Sequence, residues 1–148
     1  MNRGNRAVFI AGLLLAVALT AQARAFDESV LESWLQKYGA AWQARDAAAA
    51  GRLFSGQATY RDSPYRPVMQ GRAAIEEYWR TETADQRDVT FESSVISVSG
   101  NTGVAHWSAT FKLASKDTTV TLDGVFVLEF DASGQCKSLR EWWHVKPG

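Results

Sequence analysis

From Val89 to Val145 the side chains alternate with a period of two, and the alternation breaks only at short turns. The stretches Val89–Ser99, Gly103–Leu113, Thr118–Phe130 and Cys136–Val145 read as strands. Gly100-Asn101, Ser115–Asp117 and Asp131–Gly134 join them. A meander of this length has to bury one face. The more apolar set is Trp107, Ala109, Phe111 and Leu113 on one strand, and Leu122, Gly124, Phe126, Leu128 and Phe130 on the next. On the last strand Leu139, Glu141, Trp143 and Val145 are the more apolar set and belong inside, which takes a carboxylate in with them. Turns of this length place Trp107, Gly124 and Glu141 roughly abreast. A glycine there weakens the strand unless a ligand approaches the backbone, or the ring of Trp107 or Trp143 lies over the gap.

The elements that cover this face precede it. Val30, Leu31, Trp34, Tyr38 and Trp42 recur at three- and four-residue intervals, which predicts an amphipathic helix from Asp27 to Arg45. Asp27 is a fair N-cap, and Ser29 with Glu32 offers a second capping box. Asp46 caps a short Ala-rich helix that runs to Phe54. Gln57–Arg61 reads as a short strand, ended by a loop from Asp62 to Gln70 in which Pro64 and Pro67 forbid continuation. Arg72 to Thr83 is a third helix, with Ile75, Tyr78 and Trp79 on its inner side. Three N-terminal helices on one face of a curved antiparallel sheet is an α+β architecture, a cone with an internal pocket.

Before Phe26 the pattern differs. Arg3 and Arg6 precede an uncharged run from Ala7 to Leu19, and Ala23-Arg24-Ala25 supplies small residues where a signal peptidase reads. As a helix that run reaches roughly 20 Å, short of the ~30 Å hydrocarbon core. Residues 1–25 are therefore expected to be a cleaved signal peptide and residues 26–148 one domain, periplasmic or secreted and free of the membrane after cleavage. The formal net charge is +0, which argues against nucleic acid or an anionic surface as a partner. Cys136, the only cysteine, has no partner for an internal disulfide. His106 and His144 share the outer face without a third ligand, so no metal is expected. Val125, Val127 and Trp142 beside them suggest a homodimer interface.

Two segments carry a family resemblance. LQKYGAAWQARDAAAAGRLFSGQATYRD, followed by the proline-broken loop and GRAAIEEYW, is similar to the SnoaL-like branch of the nuclear transport factor two superfamily. That superfamily includes ketosteroid isomerase, scytalone dehydratase, polyketide cyclases and members without known activity. The similarity extends over residues 28–145 and is specific for the fold more than for the reaction. It implies that Tyr38 stands in the place of the oxyanion-hole tyrosine of ketosteroid isomerase and Asp62 in that of its general base. The isomerase's protonated aspartate falls at Phe126, and Asp123 lies three residues away on the outer face. The Asp-Arg-Asp set of the epoxide-hydrolase members does not assemble on the inner face.

The resemblance thus implies cofactor-free proton transfer on a small apolar or carbonyl-containing molecule, of isomerase, dehydratase or cyclase type. Asp62 is either a desolvated base or an Asx-turn residue. Tyr38 is either an oxyanion donor or a core tyrosine. Glu141 either pairs with an arginine such as Arg61 or Arg72, or serves as a second acid that replaces the missing aspartate. Tyr60, Tyr65, Trp79, Trp107, Phe126 and Trp143 are the expected walls, with ordinary core packing as the alternative. The alternatives to catalysis are a periplasmic ligand-binding module and a structural dimer filled by its own aromatics.

Overall fold

The computed structural model describes residues 26–147, so the expected leader lies outside the described residues. Helix α1 (Glu28–Ala44) begins at Asp27, whose side chain accepts from the Val30 amide. The Ser29 hydroxyl donates to that same carboxylate, and with the helix already begun at Glu28 the N-cap is Asp27 rather than Ser29. Leu31, Trp34, Leu35, Tyr38 and Trp42 form the buried stripe. Helix α2 (Ala47–Gly51) starts at Asp46 and ends three residues before Phe54, which opens strand β1 (Phe54–Arg61). Asp62 follows β1 directly. The loop beyond it carries a short strand, β2 (Met69–Gln70), that sequence reading passed over. Gly71 then turns the chain into α3 (Arg72–Glu82) at φ 84°, a conformation that favours glycine.

The four long strands are β3 (Gln86–Ser99), β4 (Thr102–Leu113), β5 (Thr118–Phe130) and β6 (Cys136–Val145). They lie close to the bounds expected from alternation. All strands join one curved sheet in the order β2-β1-β6-β5-β4-β3. The sheet is not wholly antiparallel, because β1 pairs parallel with β6. That pairing puts the last strand in the middle of the sheet. It also brings Tyr60 opposite Leu139, next to the inward-facing Glu141.

The inner face is the one alternation indicated. Ala105, Trp107, Ala109 and Phe111 are buried on β4, Phe126, Leu128 and Phe130 on β5, and Leu139 and Glu141 on β6. The α1 aromatics lie over them: Tyr38 meets Phe126 at 5.2 Å between centroids, and Trp42 meets Trp107 at 5.7 Å. The register differs from expectation by two residues. Gly124 stands opposite Trp107 and Trp143, while Glu141 stands opposite Phe126.

Rings close the gap at Gly124. A Cβ there would lie 2.6 Å from the Trp142 carbonyl oxygen, 2.8 Å from Trp143 Cβ and 2.9 Å from Trp107 Cε2. A backbone carbonyl cannot step aside as a flexible side chain can. Gly124→Ala is therefore expected to destabilise the protein by about 1–3 kcal/mol, read as a lower urea midpoint at unchanged m-value. An unchanged midpoint would mean that the two strands part there at no cost.

Candidate functional site

Between α1, α3 and the inner face of β4–β6 lies a cavity of about 290 Å³ that opens to solvent beside the β1–β2 loop. Four tryptophans (Trp42, Trp79, Trp107 and Trp143) and Phe111 line it, with Leu113, Val120, Leu122 and Val145 as aliphatic walls. The polar side chains are Tyr38, Tyr60, Asp62, Tyr78, Thr83, Gln86 and Glu141, with Arg66 and Glu82 toward the rim.

Asp62 is 1% exposed, although it follows a strand and begins a loop. Its position is fixed from β6, where the Trp143 indole N–H donates to the Asp62 carbonyl at 2.7 Å. One carboxylate oxygen, Oδ2, receives the Tyr78 hydroxyl at 3.2 Å and an Arg66 guanidinium nitrogen at 3.1 Å. Arg66 also reaches Glu82 at 3.5 Å and is half exposed, so it straps the mouth of the cavity from outside. The other oxygen, Oδ1, is buried and has no hydrogen-bond partner among the described residues. A buried carboxylate oxygen ordinarily finds a donor, so an orphaned one calls for an explanation.

Glu141 is 5% exposed and points inward. Among the described residues no ion pair joins it to an arginine, and Arg72 donates to the Phe54 carbonyl instead, at 2.7 Å. Its partner is the Tyr60 hydroxyl, which sits very close to Oε1. The Tyr60 oxygen lies 3.3 Å from the Tyr38 hydroxyl, so Tyr38, Tyr60 and Glu141 form one buried chain. Loss of water pushes the Glu141 carboxyl up to about 8; the Tyr60 bond opposes this and the nearby Asp62 charge adds to it. Burial likewise raises the phenols of Tyr38 and Tyr60 well above their ordinary value, with the Glu141 charge next in effect.

Of the residues expected at the site, Tyr38, Tyr60, Asp62, Trp79, Trp107, Glu141 and Trp143 all border the cavity. Phe126 is fully buried beneath it, stacked on Trp107 at 5.1 Å, and forms a floor rather than a wall. Tyr65 is a correction. It is 99% exposed on the loop, because the two prolines turn that segment away from the body.

Sequence reading did not assign Tyr78, Arg66, Trp42 and Gln86 to the site. Tyr78 and Trp42 were legible as inner helix positions, and Arg66 stands four residues after Asp62. Gln86 gave no signal. It lies at the start of β3, where its side-chain oxygen accepts the Trp42 indole N–H at 2.6 Å.

The raised Glu141 value fixes the sign of a pH effect. In the folded protein the carboxyl stays protonated up to about 8, whereas an unfolded chain releases that proton near 4.5. The stabilising contribution is thus complete below pH 4.5 and is lost as pH rises through 8. The melting temperature is expected to fall between pH 5 and pH 8 by on the order of ten degrees, from about 1.4 kcal/mol per pH unit. Glu141→Gln is expected to flatten that slope, as followed by calorimetry. A wild-type profile already flat would show that Glu141 is ionised in the fold.

A SnoaL-like domain profile matches residues 35–139. A steroid Δ-isomerase of Nocardioides simplex is 28% identical over 96 residues, which are 65% of this chain and 75% of the isomerase. Among solved structures, the fold is shared with an epoxide hydrolase/cyclase-like enzyme of pyran ring formation in polyether salinomycin. The TM-score is 0.69 at 24% identity, over 80% of this chain and 93% of that one. It is shared too with a protein of ketosteroid isomerase-like fold from Catenulispora acidiphila, solved with trimethylamine. There the TM-score is 0.66 at 18% identity, over 74% and 83% of the two chains. With that profile covering most of the chain, and with helices packed on a curved sheet around a cavity, the protein belongs to the SnoaL-like family of the nuclear transport factor two-like superfamily.

Proposed function

We propose that this protein moves a proton at a carbon next to a carbonyl group, without a cofactor, as an isomerase or cyclase of the SnoaL-like type. The observation that carries this reading is the orphaned Oδ1 of Asp62, a carboxylate oxygen held in an aromatic cavity while its twin is occupied by Tyr78 and Arg66. A carboxylate fixed in that way has one lone-pair direction left for a substrate proton. Tyr38 and Glu141 are the groups assigned to the carbonyl oxygen, where negative charge develops as the proton leaves. Glu141 faces Phe126 across the β5–β6 pair. It therefore lies one strand away from the place where ketosteroid isomerase carries its protonated aspartate.

The cavity volume narrows the substrate. About 290 Å³ is the space of about ten liquid waters, at the small end of ligand pockets. A compact one- or two-ring carbonyl compound fits within it, and a longer molecule has to extend past the Arg66 strap. The likeness to the Nocardioides isomerase supports the reaction type.

One observation favours the alternative of a plain binding module. The Arg66–Asp62 ion pair stands across the entrance, so the carboxylate is already engaged by a guanidinium before any substrate arrives.

An electron-poor phenolate, which mimics the charge of an enolate, separates the two readings. For an enzyme it binds tightly, loses affinity in Tyr38→Phe and gains it in Asp62→Asn. Turnover of enolisable ketones falls about 10²–10⁴-fold in Asp62→Asn. Phenolate binding that ignores both substitutions would leave a carrier.

Export after cleavage at Ala25 and self-association through the outer sheet face belong to the same proposal. Val125, Val127 and the exposed Trp142 line that face. Native mass spectrometry of protein recovered from its producing cells is expected to give twice the mass of residues 26–148. A monomer mass, or a retained leader, would refute the corresponding half.

A further inference from the structure

The Tyr38–Tyr60–Glu141 chain can be ordered in two directions, and only one of them leaves Tyr38 free to act. When Glu141 is ionised it can only accept, so Tyr60 donates to it and the Tyr60 oxygen in turn receives the Tyr38 proton. Tyr38 then has no donor left for a ligand. When Glu141 carries its proton, every bond can reverse. The carboxyl donates to Tyr60, Tyr60 donates to Tyr38, and the Tyr38 proton is released to the cavity that its ring borders. A hydroxyl whose oxygen already accepts a bond is also a better donor, because the dipoles align along the chain.

We propose that Tyr60 and Glu141 are positioning residues, and that the proton on Glu141 sets the direction of this buried relay and so decides whether Tyr38 donates to a ligand oxyanion. The inference deepens the oxyanion role given to Tyr38 above and rests on it. It assigns Tyr60, otherwise only a wall, to the transmission of Glu141's protonation state across the cavity floor.

The groups around Glu141 leave the control to that one proton. Tyr60 faces it from β1, Tyr38 from α1 and Tyr78 from α3, and all three are phenols held above their usual range. Phe126, opposite on β5, is neutral. Among the described residues Asp62 is the charge that acts on it, and Arg66 is engaged by that same carboxylate. The phenols stay protonated through neutral pH, so they pass protons along the chain without titrating themselves. Loss of water holds Glu141 near the pH at which the direction would change.

An ionised Glu141 would also repel an anion directly, so a pH-dependent affinity is not by itself a test. The test is how the Tyr38→Phe penalty varies with pH. The probe is a dinitrophenol that is already ionised at about pH 6, titrated against wild type and Tyr38→Phe from about pH 6 to about pH 9.5. At the low end the substitution is expected to weaken phenolate binding by about ten- to a hundredfold, the worth of a hydrogen bond to a charged acceptor. The penalty is expected to shrink above pH 8 and to vanish by the top of the range, since wild-type Tyr38 no longer donates there. In a Glu141→Gln background the amide donates to Tyr60 at every pH, and the penalty is expected to persist throughout.

A Tyr38→Phe penalty that stays constant with pH in the wild-type background would overturn the relay and leave Tyr38 as a simple donor. No penalty at any pH would overturn the oxyanion reading itself, and the relay with it. The comparison of wild type with Tyr38→Phe decides between these outcomes even if the glutamine variant does not fold.

Discussion

Two carboxylates lie inside an aromatic core, and neither has the set of partners that a buried charge requires. Dry burial of an ion costs several kcal/mol unless it is paired and fully hydrogen-bonded. Asp62 meets that cost with an arginine and a phenol on one oxygen only, and Glu141 meets it by keeping its proton. The rest of the arrangement serves these two solutions. The β1–β6 pairing brings Tyr60 to Glu141, and the Trp143 indole holds the Asp62 backbone in place. A well-packed apolar pair would be the more stable filling of the same space. The retained polarity is thus not explained by stability alone.

The aromatic residues give this polar pair its rigidity. Tyr38 is packed by Trp34, Trp42, Trp79 and Phe126 at centroid distances from 4.9 to 6.3 Å, so its hydroxyl has little freedom to swing. Preorganisation of this kind is what makes a donor effective toward developing charge, because no reorganisation is left for the moment of reaction. Among the described residues, two indole N–H groups, on Trp79 and Trp107, are buried without partners. The core accepts that loss in exchange for ring area.

Most of the framework was legible because alternation and helical spacing are local signals. The bounds of β5 and β6 and the inward face of β4 followed directly from which residues alternate, and Glu141 came inward with its strand. What escaped was set by long-range pairing. The parallel β1–β6 contact spans most of the chain, and no local pattern announces it. The two-residue register offset at Gly124 and the fate of the loop tyrosine belong to the same class. Tyr65 reads as pocket lining from its aromatic ring, and only the path of the loop sends it into solvent. Within the site, residue types and faces were readable from the chain. The Tyr60 link to Glu141 and the Arg66 strap were not, since each joins side chains whose meeting depends on the closed sheet.

The central place of β6 governs how the molecule can be assembled. In the order β2-β1-β6-β5-β4-β3 the final strand is the bridge between the first strands and the long hairpins. Until Cys136–Val145 has been synthesised, β1 has no partner on one side and the meander no neighbour on the other. The β2-β1 pair and the β5-β4-β3 meander therefore share no backbone pairing until β6 lies between them. Closing the sheet around the cavity is therefore a long-range event, which joins β1 to β6 across the helices and the meander.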